Sequence, residues 1–146
     1  MKLYNRFLIV LSVFVFVLNI NCFGQVYGKL FTRAAANEKF GSVIDSVELS
    51  VKNFQKLLNQ TDNYAMFKIV NDTIIILDQN RQVLYPEGLI ITAEEVFTMF
   101  SKSVIEDLIS VGDSKFVYFE QRNKVLSVTI GNVTMEVGGL CPPICL

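Results

Sequence analysis

The stretch that decides the fold runs from residue 116 to residue 137 and reads FVYFEQRNKVLSVTIGNVTMEV. Apolar and polar residues alternate in three segments, which is the pattern of strands with one buried face. Gly131-Asn132 is a two-residue hairpin turn, and Arg122-Asn123 indicates a turn before it. The sequence therefore predicts an antiparallel meander with strands at about 115–121, 124–130 and 133–138.

One strand register collects apolar side chains on a single face of this meander. The second turn pairs Ile130 with Val133, and the first places Val117 opposite Val128 and Phe119 opposite Leu126. The predicted core face consists of Val117, Phe119, Leu126, Val128, Ile130, Val133, Met135 and Val137.

The opposite face of the meander is the candidate interaction surface. It contains Phe116, Tyr118, Val125, Ser127, Thr129, Thr134 and Glu136. Because aromatic side chains dominate the binding energy of interfaces, we predict that Phe116 and Tyr118 form a partner-binding face. In the alternative, residues 25–40 or the C-terminal tail cover them.

Earlier segments predict further helices and strands. Residues 32–40 read as a helix capped by Thr32, residues 42–49 as a strand, and Ser50 begins a second helix. Asn71-Asp72 predicts a hairpin that pairs Ile69 with Ile74 and Phe67 with Ile76. Thr92-Ala93-Glu94-Glu95 is a capping box, which predicts a long helix over 93–110.

The predicted fold class is α+β: a mainly antiparallel sheet of about six to eight strands with two or three helices on one face. The order strand, helix, three strands is read at 43–85 and again at 89–137. This order indicates either a tandem β-α-β-β-β repeat or the chance similarity of two alternating segments. The arrangement over about 43–138 is similar to the tandem helix-plus-sheet design of the secreted β-lactamase inhibitory proteins, which implies no functional residue.

Residues 1–24 have the layout of a secretory signal peptide. Lys2 and Arg6 precede an apolar run, and Cys22-Phe23-Gly24 offers a cleavage site before Gln25. The apolar run is shorter than the roughly 20 residues of a transmembrane helix, so no stable span is expected after cleavage. The residues before Cys22 do not form a lipobox, which argues against a lipoprotein. We therefore predict a secreted or periplasmic protein with one α+β domain over 25–146.

The charge of this domain excludes one class of partner. Loss of Lys2 and Arg6 reduces the 13 basic residues to 11 against 14 acidic residues, so the net charge becomes −3. A mildly acidic domain without a basic cluster lacks the charge that binds phosphate backbones. We expect no nucleic-acid partner.

Two cysteines remain after cleavage, Cys141 and Cys145, in the tail 139–146. In an oxidising compartment this pair predicts a disulfide that stiffens the tail. A redox-active thiol pair and a metal site are the alternatives. The C-x3-C spacing differs from C-x-x-C, and two thiolates alone do not complete a metal site.

The chain has no histidine, which removes nucleophile–histidine catalysis and most zinc or haem ligation. No glycine-rich phosphate loop is present, so no catalytic, cofactor or metal residue is predicted. The function that we expect is a non-enzymatic binding or inhibitor-like module whose partner is another protein or an envelope component. The alternatives are a structural or assembly component of the bacterial envelope and a small carboxylate-dependent hydrolase.

Overall fold

The computed structural model describes residues 25–123 and 125–141. These residues form an α+β fold with three helices and ten strands, and the strands lie in two antiparallel five-stranded sheets. The helices are α1 (Arg33–Phe40), α2 (Val51–Leu58) and α3 (Lys102–Val111). The strands are β1 (Lys29–Thr32), β2 (Asp45–Ser50), β3 (Tyr64–Val70), β4 (Thr73–Leu77), β5 (Val83–Tyr85), β6 (Phe97–Ser101), β7 (Phe116–Gln121), β8 (Leu126–Ile130), β9 (Val133–Glu136) and β10 (Gly139–Cys141).

The two sheets exchange strands between the halves of the chain. The first sheet has the order β1-β9-β8-β7-β2, and the second has the order β10-β6-β3-β4-β5. Strand β2 pairs with β7 of the later half, while β6 pairs with β3 of the earlier half. The prediction of one sheet of six to eight strands is therefore wrong. The order β-α-β-β-β occurs twice along the chain, but each first strand joins the meander of the other half.

Helices α2 and α3 lie on one face of the first sheet, within the predicted two or three helices on one face, and α1 does not share it. Helices α2 and α3 bury Phe54, Leu58, Ile105 and Leu108 in a core that both sheets share. Helix α1 lies on the other side of the first sheet, where it buries only Ala36. A helix without an apolar stripe cannot join an apolar core, so α1 packs on a polar surface instead.

The first two helices begin where the sequence predicts. The Thr32 hydroxyl accepts a hydrogen bond from the Ala35 backbone N–H at 3.2 Å, and the Ser50 hydroxyl accepts one from Asn53 at 3.3 Å. Such caps satisfy backbone donors that have no partner within the helix.

The predicted helix over 93–110 is wrong in its first half. The Glu95 carboxylate does accept the Thr92 backbone N–H at 3.1 Å, as in a capping box, but the segment is a turn. Residues 97–101 form β6, and helix α3 begins only at Lys102. The apolar residues Phe97, Met99 and Phe100 fit both periods, and pairing with β3 and β10 selects the strand.

Two hairpin registers are confirmed, and a third is shifted. Ile69 lies opposite Ile74, and Ile130 lies opposite Val133. Between β7 and β8, however, Val128 faces Phe119 because the connection has four residues, closed by a hydrogen bond from the Arg122 N–H to the carbonyl of residue 125 at 2.9 Å. A shift of two residues keeps every side chain on its predicted face.

A cluster of phenylalanines joins the sheets at the centre of the core. The rings of Phe67 in the second sheet and Phe119 in the first have centroids 5.4 Å apart. The Phe54 ring of α2 contacts both, and Phe100 contacts Phe67. All four side chains are fully buried, so the cluster holds the inner faces of the two sheets together.

We expect Phe119→Ala to lower the free energy of unfolding by about 3 to 5 kcal/mol, because the cavity that it leaves is lined by rings that cannot collapse. Phe116→Ala on the same strand is the matched control and should cost at most about 1 kcal/mol, since Phe116 is exposed. Urea denaturation measures both. Equal losses for the two variants would show that the cluster does not join the sheets.

Candidate functional site

The outer face of the first sheet, which points away from the shared core, falls into two parts. Helix α1 crosses one part, which we call the covered half. Its residues are Glu120, Ser127, Thr129, Thr134 and Glu136, and all are buried. The other part lies near the edge strand β2 and is called the open half. Its residues are Glu48, Ser50, Phe116 and Tyr118.

The Arg122 guanidinium is the centre of the covered half and has no exposed surface. Nη2 donates to Glu120 Oε2 at 2.9 Å, and Nε lies 3.1 Å from Glu136 Oε1 and 2.8 Å from the Ser127 hydroxyl. Nη1 donates to Asn37 Oδ1 at 2.6 Å and to the Gly41 carbonyl at 2.5 Å. One buried cation thus links β7, β8, β9 and the C-terminal half of α1.

The two buried carboxylates have unequal surroundings. Glu120 accepts hydrogen bonds from Arg33, Arg122 and Thr129 at 2.7, 2.9 and 2.9 Å. Glu136 is bonded to Ser127 and Arg122 through Oε1, whereas its Oε2 is buried without a partner among the described residues. Burial raises the pKa of Glu136, and the nearby Glu120 charge raises it further, against the opposing effects of Ser127 and Arg122.

These contacts hold α1 on the sheet. Arg33 and Asn37, one turn apart, each bond to the covered half, and the Phe40 ring packs edge-on against Phe31 at 5.4 Å. Directional bonds, together with the Phe40–Phe31 ring contact, therefore position this helix.

The arrangement suits a structural role better than acid–base chemistry. Both carboxylates are occupied by the same guanidinium beneath a helix, and a reactant would have to displace α1 to reach them. A general acid or base must lie within hydrogen-bond reach of its substrate. Among the residues that the structure describes, no three His, Cys, Asp or Glu side chains come together in an arrangement that could hold a metal ion.

The open half contains the two aromatic residues that the sequence singled out. Phe116 is 42% exposed and Tyr118 is half-buried, and neither belongs to the core. Glu48 faces Tyr118 from β2 and is exposed. The structure thus places both aromatic residues on the face opposite the core. Their binding of a partner stays a prediction.

Four residues predicted beside them on that face are buried instead. Ser127, Thr129, Thr134 and Glu136 lie under α1, so residues 33–41 cover part of the face. Sequence reasoning missed Glu120 and Arg122 as members of one network. The sequence contained a signal for this network. Glu120 follows the core residue Phe119 in an alternating strand, so Glu120 lies on the outer face together with Glu136.

Other predictions concern residues that lie outside the described part of the chain. The signal peptide 1–24 and Cys145 lie outside them, so cleavage and the Cys141–Cys145 disulfide stay predictions. Cys141 itself is buried beside Phe97 on the outer face of the second sheet. In the described part of the chain, no helix has the length and apolar character to span a membrane.

Comparisons with family models, with curated proteins and with solved structures found no match for this chain.

Replacing Glu136 tests the electrostatics of the network. Its raised pKa means that the native state holds the proton more tightly than the unfolded chain. Wild-type stability from this group is therefore present below the ordinary value of 4.5 and is lost as pH rises through the native value. Glu136→Gln cannot lose a proton, so its stability relative to wild type should improve between about pH 4 and pH 7. Urea denaturation of wild type and Glu136→Gln at about pH 4 and about pH 7 measures this difference. An equal change in the free energy of unfolding of both proteins between the two pH values would contradict the prediction.

Glu120→Gln should strongly lower the free energy of unfolding at neutral pH. It removes the carboxylate that both Arg33 and Arg122 bond and leaves a buried guanidinium with less compensation, which costs about 3 to 5 kcal/mol. Glu48→Gln, an exposed carboxylate on the same sheet, is the control and should change stability by less than about 0.5 kcal/mol. Similar losses for Glu120→Gln and Glu48→Gln in thermal unfolding would rule out the network as a structural element.

Proposed function

We propose that this protein is an exported, non-enzymatic binding module that captures another protein or an envelope component through the open half of the first sheet. The observation that carries the proposal is the exposure of Phe116 beside Tyr118 on a face whose other half is buried. Aromatic side chains on a fixed surface are the commonest anchors of protein interfaces.

We infer that the partner contacts mainly the face of the first sheet, and less the free edge of β2. Strand β2 pairs only with β7 among the described strands, so its other edge could accept an added strand. However, the Asp45 carboxylate accepts the Ser46 backbone N–H at 2.7 Å and occupies a donor of this strand. The exposed Glu48 adds charge, which is a common protection of sheet edges.

The buried network beside the open half supports a binding role. Tyr118 lies opposite Thr129, whose hydroxyl donates to Glu120 at 2.9 Å. The open half therefore continues directly into the buried network that α1 covers. A surface that is fixed before binding loses less conformational entropy when a partner arrives.

The proposed function also includes export of the chain and a disulfide in its C-terminal tail. We infer that residues 1–24 direct the chain across a membrane and that Cys141 and Cys145 then form a disulfide in the secreted or periplasmic protein.

We also infer that the two halves of the chain are copies of one β-α-β-β-β unit. The matching order of elements supports this, as does the spacing of 52 residues between Phe67 and Phe119, which contact each other in the core. Ile74 and Leu126, separated by the same spacing, are both buried in the same cluster.

The test of the binding role is capture from the native extract by the immobilised protein and its variants. The double variant Phe116→Ala/Tyr118→Ala should capture at least about tenfold less of the partner than wild type does. This is the effect expected when interface anchors are removed. Ile90→Ala, at a 92% exposed apolar side chain elsewhere, is the control and should capture as much as wild type does.

Denaturation of the same variants separates binding from folding. The double variant should keep a cooperative unfolding transition. Undiminished capture by the folded double variant would contradict the proposal, and so would equal losses of capture in the double variant and in Ile90→Ala.

A further inference from the structure

A groove opens between the two sheets, beside the connection from β9 to β10, and its walls are mainly apolar at the Phe40 end and more polar at the Lys68 end. Two adjoining cavities of about 240 and 290 Å³ form it, and they share Thr98, Leu126 and Leu140 in their walls. Phe40 of α1 lines one end, and Lys68 of β3 lines the other. We call this feature the lateral groove. Together its two parts are comparable to a small-molecule site, which has about 300 to 1,000 Å³.

Apolar side chains at the lateral groove are in contact with water. Val96, Val137 and Leu140 are 47%, 53% and 51% exposed, and all three line the groove. Large apolar side chains that are scattered singly need no explanation, but a group of them around one concave surface marks a ligand or interaction site.

Val137 has a strained backbone that presents its side chain at the groove. Its φ is +67°, a conformation that a β-branched residue rarely adopts. The hydrogen bond from the Gly28 N–H to the Val137 carbonyl at 3.0 Å holds it there. The same rotation explains why Val137 does not join the core face as the sequence predicted. Strain of this kind is commonly retained where it places a side chain for binding.

The Phe40 end of the groove has a positive rim. The Lys39 ammonium lies 5.4 Å from the Phe40 ring and 5.2 Å from the Phe31 ring, and the Lys29 ammonium lies 5.8 Å from Phe31. Neither lysine forms an ion pair among the described residues. Of the two rings, Phe40 is the one that lines the groove, so Lys39 is the lysine shown at this end, and an unpaired ammonium group favours an anion beside it.

We propose that the lateral groove binds a free long-chain aliphatic carboxylate, with the chain in the apolar part lined by Val137 and Leu140 and the carboxylate beside Lys39. At the other end, Lys68 is already paired with Glu95 at 2.9 Å, so among the described residues the unpaired positive charge lies at the Phe40 end. Among the described residues that line the part at the Phe40 end, only Thr98 has a polar side chain. A peptide would bury amide groups against this surface without enough partners, whereas an alkyl chain has no polar group to satisfy.

The first test is calorimetric titration of the purified protein with dodecanoate. Dodecyltrimethylammonium, which has the same chain and the opposite charge, is the matched ligand control. Dodecanoate should bind at one site and roughly tenfold or more tightly than the cation, and added salt should weaken its binding. Absence of saturable binding, or equal affinity for the two amphiphiles, would overturn the proposal. Binding only to phosphatidylglycerol vesicles would also overturn it and would indicate a membrane surface instead.

Variants of the groove locate the site. Leu140→Ser and Val137→Asn should each weaken dodecanoate binding, by roughly tenfold for the leucine, since each removes apolar contact. Val137→Asn should at the same time raise the midpoint of urea denaturation, because asparagine tolerates positive φ better than valine. Its loss of binding therefore could not come from unfolding.

Variants of the rim test the position of the carboxylate. Lys39→Gln should weaken binding by about threefold, the effect expected of one exposed charge. Lys52→Gln, an exposed lysine of α2, is the control and should bind like wild type. Wild-type affinity in folded Val137→Asn and Leu140→Ser would place the ligand elsewhere and contradict the proposal, and equal affinities of Lys39→Gln and Lys52→Gln would contradict the assigned orientation.

Discussion

The contact between Phe67 and Phe119 is the interaction on which the rest of the structure depends. Each ring belongs to a different sheet, the centroids are 5.4 Å apart, and Phe54 of α2 contacts both rings. An antiparallel sheet with one apolar face must bury that face against another element. Here the inner faces of the two sheets bury each other, and the two core helices fill the remaining space.

The two faces of the first sheet are stabilised by different physical interactions. The inner face buries aliphatic and aromatic side chains, while the outer face buries Arg122 with Glu120 and Glu136. Buried ion pairs add little net stability, because desolvation offsets the attraction between the charges. Their geometry is directional, however, and it defines where α1 lies. The position of α1 in turn decides which part of the outer face stays open.

Local features of the fold could be predicted from the sequence, and long-range pairing could not. Caps at Thr32 and Ser50 and the turns at 71–72 and 131–132 depend on neighbouring residues, and all are found. The prediction for residues 97–101 was wrong because their apolar residues fit a helix and a strand equally well. Only their pairing with β3 decides between them. For the same reason the covering of the outer face by α1 could not be foreseen, since α1 and Arg122 are about 85 residues apart, although alternation places Glu120 and Glu136 on the same face.

The exchange of strands between the halves has a consequence for how the chain folds. Val47 of β2 pairs with Phe119, so the first sheet cannot close until nearly the whole chain is available. Native contacts of such large sequence separation slow folding, because loop-closure entropy is lost before the contacts form. Each half contains a three-stranded meander, but neither completes its five-stranded sheet alone, so we expect the domain to unfold as a single cooperative unit. In the export that we propose, this topology would postpone folding until translocation is almost complete.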